Sequence, residues 1–326
     1  MNFTAMAFDN FGPPDVFHIA ELDLPEPLDS QVLVEVEASS VNFADVMARQ
    51  GKYPLEGPPY VTGIDFVGRV IKAGSDDGST LVGKRIVGFG DTGSYATHLL
   101  APVSLVFEIP ENMKLSTAAA CPLLICTTYA LLNRRQGLHP GDNLLIHAAA
   151  GGIGLTAIQM AKQLGASSIT ALVSSSSKVD SALRAGATEV IVTSETPDYP
   201  EKVRGSHPDG LELILNSVAG KTIQKDLEIL KPGGQIVVFG MASGEPGVVQ
   251  TNQLHHSSRT VSGFSFGNMR RTDPQGAQEI IHKALPLATS GKVAFDIVTE
   301  YSLYDVQEAH RAIESRTSIG KLILIP

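Results

Sequence analysis

The chain has 326 residues, above the size at which a single hydrophobic core usually stops growing, so two domains are expected. Its composition, 43% hydrophobic and 18% charged, is ordinary for a soluble globular protein. The formal net charge of −9 argues against nucleic acid or an anionic membrane as a main partner, because both select clustered Lys and Arg. No window approaches about 18 unbroken apolar residues, so no membrane span is expected. The opening stretch MNFTAMAFDNFGPPD lacks a basic n-region and an apolar h-region, so no signal peptide is expected and a cytoplasmic location follows. Cys121 and Cys126 lie five apart in an apolar stretch and do not form a CxxC. They read as buried small hydrophobes in a reducing compartment, with a disulfide or metal pair as the alternative.

Residues 1–115 hold short apolar or alternating runs cut by Gly and Pro: QVLVEVEASSV (31–41), FVGRVIKAG (66–74), KRIVGF (84–89) and SYATHLLAP (94–102). That spacing predicts an antiparallel, barrel-like all-β unit. Near residue 116 the pattern changes. STAAACPLLICTTYALLNRRQ (116–136) is helix-compatible, with Ser116 as a cap candidate. Strands and helices then alternate: LLIHA, IGLTAIQMAKQLG, SITALV, SKVDSALRAG ending at Gly186, EVIVT, LELILNSV, and KTIQKDLEILKPGG with a Pro-Gly-Gly stop. IVVFG (236–240) and TVSGFSF (260–266) complete the series. These strands show little polar alternation, as expected when helices cover both faces, so an α/β fold with a doubly wound parallel sheet is predicted. The last third adds the helix PQGAQEIIHKALPLATSG, the strand FDIVTEYS, the helix DVQEAHRAIESR and the strand KLILIP.

HAAAGGIG (147–154) sits between a predicted strand and a predicted helix. It fits A-x-x-G-x-x-G with Ala148, Gly151 and Gly154 at the fixed places, in the context that gives such a match meaning. Gly151 and Gly152 would let the backbone turn tightly and approach a diphosphate. Gly154 would let the helix lie close on the strand, and the helix start around Ile153 offers unpaired N–H groups. A dinucleotide is the predicted ligand; an ordinary tight turn is the alternative. An NAD site wants an acid at the end of the second strand, but ALVSSSSK has none from 166 to 179. Ser174, Ser175 and Lys178 instead suit a 2′-phosphate, so NADPH is preferred. Asn216, Val218, Gly240 and Met241 fall at other carboxyl strand ends, where ligands of open α/β sheets lie.

With VNFADVMARQGKYP (41–54), GIDFVGRV (63–70), HAAAGGIG and GKLIL (320–324), the chain resembles the medium-chain dehydrogenase/reductase superfamily over essentially its whole length. Within it, the chain looks most like the zinc-free NADPH:quinone oxidoreductases, the zeta-crystallin-like group. The resemblance implies a GroES-like β-barrel catalytic domain over 1–123, completed by 290–326, and a Rossmann NADPH-binding domain over 124–289. It places the cofactor in the cleft between domains and implies a homodimer or tetramer joined through the Rossmann sheet edge, the homodimer being preferred. Zinc-dependent relatives carry Cys where this chain has Phe43 and Gly-His-Glu where it has Gly63-Ile64-Asp65, so no metal site is expected. By the same resemblance, Asn42 and Tyr53 line the site near the nicotinamide, and Thr127 contacts the nicotinamide end. Lys178, joined by Arg316, meets the 2′-phosphate, and Phe264 closes over the nicotinamide side. Some relatives have a phosphate-facing Tyr at about the place of Thr193.

The implied chemistry is hydride transfer to a small-molecule acceptor. A quinone is preferred; an α,β-unsaturated carbonyl (alkenal, enone or 2-enoyl thioester) is the alternative. Without zinc, hydrogen-bond donors must serve the product oxygen, with Tyr53 as donor and Asn42 as orienter. Asp45 and Asp65 read as ion-paired or capping rather than catalytic, and His147 as structural. The His255–His256 pair and the run NMRRTD (268–273) read as solvated surface. GFSFG (263–267) matches the hydrolase nucleophile elbow, with Asp296 and His310 following Ser265 in the right order. The sequence after it, NMRRTDPQG, does not read as the helix an elbow needs. A non-enzymatic NADPH-binding or RNA-associating module is the other rival, disfavoured by the acidic balance.

Overall fold

The structure, a computed structural model, describes residues 1–90, 93–133 and 137–326. It divides into two compact units, Met1–Leu123 with Ile281–Pro326, and Leu124–Ile280. Sixteen strands occur among the described residues: β1 Asn2–Phe8, β2 His18–Asp23, β3 Gln31–Val41, β4 Tyr60–Val61, β5 Asp65–Ala73, β6 Arg85–Phe89, β7 His98–Pro102, β8 Val106–Glu108, β9 Asn143–Ile146, β10 Ser168–Val173, β11 Glu189–Val192, β12 Leu211–Asn216, β13 Leu230–Val238, β14 Thr260–Gly263, β15 Val298–Ser302 and β16 Lys321–Ile325.

In the first unit, one sheet runs β15-β16-β3-β5-β6-β8, with β7 also paired to β3. A second runs β2-β1-β4. Pairing is antiparallel except for β15 with β16. The chain's last strand therefore lies beside β3, with Leu322 opposite Val41 and Leu324 opposite Ser39. Val32, Val34, Phe66, Ile86 and Leu99 fill the core between these strands. This is the antiparallel all-β unit that the short alternating runs predict, in the GroES-like form that the family resemblance implies.

The second unit holds a six-stranded sheet in the order β11-β10-β9-β12-β13-β14, parallel throughout. The chain winds outward from β9 in one direction to β11, then returns to the other side at β12. That reversal is the topological switch of a Rossmann fold, and the carboxyl ends of β9 and β12 flank it. The strands are apolar without alternation because both faces are covered: SITALV is buried at five of its six positions. Leu145, Leu172, Ile191, Leu211, Ile214 and Ile236 pack with Ile223 and Leu227 of the helix Thr222–Ile229.

Several local readings need correction. The long helix runs Leu115–Asn133, so Ser116 lies inside its first turn rather than capping it. Residues 134–136 of that predicted helix lie outside the described ones. By length and composition this helix could cross a membrane, contrary to the sequence expectation, but most of it is buried within the protein. The helix of KTIQKDLEILKPGG stops at Ile229, before the Pro-Gly-Gly. Leu230 turns extended to pair with Leu211, and Pro232–Gly234 fall within β13 around a register shift. NMRRTD is not a surface turn; its first five residues belong to the helix Phe266–Thr272.

Candidate active site

Five strand ends of the second unit bring the predicted nucleotide residues to one sheet edge. After β9 the chain passes through Ala148, whose φ of 48° is in the left-handed region, and reaches a helix over Gly152–Gln163 that includes Ile153 and Gly154. The tight turn is thus carried by an alanine rather than by Gly151, which has φ −79° at the helix start. The requirement for glycine is firm at Gly154. A Cβ there would sit 2.5 Å from both Cα and the carbonyl oxygen of Ala149, backbone atoms that cannot swing aside. The small residue at Gly154 serves the close approach of helix to strand.

After β10 come Ser174, Ser175 and Lys178. Ser175 and Ser177 hydroxyls share a 2.9 Å hydrogen bond, and Lys178 is buried. Burial holds its ammonium below the ordinary lysine range. A cation with thinned hydration gains more from an anion than a solvated one does. Thr193 donates to the carbonyl of Val173, the last residue of β10, at 3.1 Å, so its hydroxyl is occupied within the sheet. After β12, Asn216 is fully buried and its Oδ1 accepts the N–H groups of Val218 and Ala219, both at 2.8 Å. Gly240 and the partly exposed Met241 follow β13, and a Cβ on Gly240 would meet the Ser217 carbonyl at 2.8 Å. Phe264 follows β14, its N–H bonded to the Val238 carbonyl at 2.9 Å. Thr127 lies buried in the helix Leu115–Asn133.

Asn42, Tyr53 and Arg316 lie in the first unit. Asn42 stands at the head of a short helix, Phe43–Arg49, in a buried polar cluster. Its Nδ2 donates to Asp65 Oδ1 at 2.8 Å and to Ser40 Oγ at 3.1 Å, and its Oδ1 accepts from Lys321 Nζ. Both amide hydrogens are therefore committed, and Asn42 offers a substrate only a lone pair. Asp65 also accepts from Ser40 Oγ and, at 3.0 Å, from the Leu123 N–H. Asp45 caps the same helix, accepting from the Asn42 N–H at 2.8 Å and from Thr62 Oγ1 and the Gly63 N–H, both at 3.1 Å. Burial, reinforced by the nearby Asp65 charge, pushes Asp45 up to about 6. Burial likewise pulls the Lys321 ammonium down. Sequence reasoning gives Asp45 and Asp65 capping or ion-paired roles; Asp45 does cap its helix, whereas Asp65 is held by the neutral donors Ser40, Asn42 and the Leu123 N–H, and Lys321, a cation opening an otherwise apolar terminal strand, is missed. Tyr53 follows the helix and is half-exposed, its ring available to solvent. Arg316 is exposed, at φ 57°, in the turn after the helix Val306–Glu314.

The hydrolase elbow does not operate. A helix does follow GFSFG, contrary to the sequence reading, but Ser265 Oγ is its cap, accepting from the Asn268 N–H at 3.1 Å. His310 is fully buried against Tyr95, and its Nδ1 has no carboxylate to orient it among the described residues.

Comparison with known proteins agrees with this geometry. Residues 28–111 match the alcohol dehydrogenase GroES-like domain model, and residues 152–284 match the zinc-binding dehydrogenase model. The structure superposes on Escherichia coli quinone oxidoreductase complexed with NADPH with a TM-score of 0.91 and 31% identity, covering 99% of this chain and 100% of that one. The chain is 29% identical to the synaptic vesicle membrane protein VAT-1 homolog of Danio rerio, over 90% of its own length and 64% of that protein's. It is 30% identical to part of the phenolphthiocerol/phthiocerol polyketide synthase of Mycobacterium tuberculosis, over 98% of its own length but only 14% of that much longer chain. The chain belongs to the medium-chain dehydrogenase/reductase superfamily, in its quinone oxidoreductase group.

Proposed function

We propose that this protein is an NADPH-dependent oxidoreductase that delivers hydride to a quinone-type acceptor without a catalytic zinc. One observation carries the reading: the glycine turn at the sheet's switch point, closed to any side chain at Gly154 and followed at the next strand end by Ser174, Ser175 and Lys178. Gly151 to Gly154 would hold the diphosphate, and Ser174, Ser175 and Lys178 the 2′-phosphate. Asn216, Val218, Gly240, Met241, Phe264 and Thr127 would line the rest. NADPH, when bound, supplies the hydride; the protein supplies orientation and polarity. Tyr53 is the donor for the product oxygen, since the Asn42 amide hydrogens are already spent.

The metal-free part of the proposal rests on side chains. Phe43 and Ile64 carry no ligating atom, and no group of three or more His, Cys, Asp or Glu converges among the described residues. Both residues lie outside the span matched to the zinc-binding model. A stoichiometric zinc in the purified protein would overturn this. A homodimer through the sheet edge at β14 also belongs to the proposal, and light scattering tests it.

The deciding assay is NADPH and NADH oxidation, followed by absorbance, with quinones beside alkenals and 2-enoyl thioesters. Turnover with quinones and a preference for NADPH supports the proposal. Turnover confined to unsaturated carbonyls moves the acceptor to the second reading. A preference for NADH overturns the cofactor reading.

A further inference from the structure

Beneath the nucleotide edge of the second unit lies a buried carboxylate with no place in the chemistry above. Asp226, in the helix Thr222–Ile229, is fully buried. Three donors from three separate elements converge on it. His147 Nε2 lies 2.9 and 3.1 Å from its two oxygens, the Tyr199 hydroxyl donates to Oδ1 at 2.6 Å, and Asn216 Nδ2 donates to Oδ2 at 2.6 Å. His147 is the first residue after β9 and opens the glycine turn. Asn216 ends β12, and its other side-chain atom fixes the N–H groups of Val218 and Ala219. His147 and Asn216 thus stand on the two strands that flank the switch, joined through one carboxylate. His147 also packs edge-on to the Tyr199 ring, with centroids 5.7 Å apart.

We propose that Asp226 is a positioning residue for dinucleotide binding, locking the turn after β9 and the turn after β12 into one preformed cradle. A backbone that must meet a diphosphate at hydrogen-bond distance loses affinity when it is free to shift, because ordering it then costs free energy at each binding event. A carboxylate suits the post, since it is acceptor-only and can serve three donors at once. An apolar residue there would strand His147, Tyr199 and Asn216 without partners. The inference rests on the nucleotide reading of this edge and adds the group that organises it.

The test is NADPH affinity, by titration of cofactor fluorescence, in wild type and Asp226→Asn. The amide keeps the shape but turns one acceptor into a donor facing donors. The expected result is at least a tenfold rise in Kd for NADPH in natively folded protein. KM for NADPH rises in step, while kcat at saturating NADPH changes by less than threefold. A merely structural role predicts a lower Tm with Kd within twofold of wild type, and that outcome overturns the inference while leaving the nucleotide site standing. If Asp226→Asn does not fold, His147→Phe keeps the packing on Tyr199 and removes only the tie to the glycine turn. A rise of fivefold or more supports the inference, and an unchanged Kd overturns it. Failure of wild type to bind NADPH overturns both readings.

Discussion

The clearest quantitative consequence of the structure concerns His310. Its ring is fully buried, edge-on to Phe17 at 4.9 Å and to Tyr95 at 5.7 Å, with Nε2 3.2 Å from the Tyr95 hydroxyl. Nδ1 has no hydrogen-bond partner among the described residues. The doubly protonated ring would carry a buried Nδ1–H with no acceptor. Burial, with the Arg49 charge nearby, accordingly lowers its pKa from 6.5 to about 3. The folded value lies below the unfolded one, so on acidification the unfolded chain takes up the proton first. The stabilising contribution is full above pH 6.5 and is lost as pH falls toward 3. Between pH 7.5 and 5.0 the loss is about 2 kcal/mol by linkage. Asp45 acts oppositely. Its folded value of about 6 lies above the unfolded 3.8, so acidification over the same range returns roughly 1 kcal/mol. Asp45 therefore offsets part of the His310 effect in wild type, and a difference measurement separates the two. Urea unfolding of wild type and His310→Gln, followed by circular dichroism at both pH values, provides it. The stability gap between them should shrink by about 2 kcal/mol on going to pH 5.0. A gap constant to within about 0.5 kcal/mol would show that His310 protonates in place, and the reasoning would fail.

Other substitutions test the site more directly. Gly154→Ala forces a methyl onto the Ala149 backbone; it should cost about 1–3 kcal/mol in stability and at least tenfold in NADPH affinity, read by chemical denaturation and by titration. Lys321→Met removes the cation that faces Asn42, Asp45 and Asp65. A loss of about 3–5 kcal/mol is expected from unfolding midpoints, and a loss below about 1 kcal/mol would mean that the carboxylates are already neutral. Tyr53→Phe should lower kcat at least about tenfold with little change in the KM for NADPH; an unchanged kcat would assign the proton to water.

What can be read from the sequence follows from how far each interaction reaches along the chain. β3 (31–41), β10 (168–173) and the helix Pro274–Thr289 agree with the sequence reading to the residue or nearly so, because each is fixed by local periodicity and its end signals. Gly186 stops its helix in the left-handed conformation, at φ 113°, as a glycine there should. Leu230 escapes a local reading because its extended backbone is dictated by Leu211, nineteen residues away, against the helical pattern before it. The helix after Ser265 escapes it because Phe266 and Met269, its buried face, are only two apolar anchors among Gly, Asn and Arg. The polar hubs are less visible still. Asp226 meets a histidine 79 residues earlier, and Lys321 meets an asparagine 279 residues earlier. The trace left in the sequence is slight: Asp226 shares the apolar stripe of its helix with Ile223 and Leu227, where an acid is out of place unless partnered.

The alanines at the nucleotide edge show why such hubs are needed. Ala148 and Ala219 hold φ of 48° and 58°, and each costs roughly 1–2 kcal/mol that glycine would largely avoid. Glycine, however, would leave both turns free to sample other conformations, whereas alanine narrows the choice once the surroundings impose it. The surroundings do impose it. The Gly151 N–H bonds to the Ala148 carbonyl at 2.9 Å, the Ala149 N–H to the Leu172 carbonyl at 2.9 Å, and the Ala219 N–H to Asn216 Oδ1 at 2.8 Å. Asn216 can do this only while its amide is held by Asp226 and, at 2.8 Å, by the Thr222 hydroxyl. Strain at two backbone positions and a buried carboxylate below them are therefore parts of one device. The carboxylate fixes the groups that fix the turns.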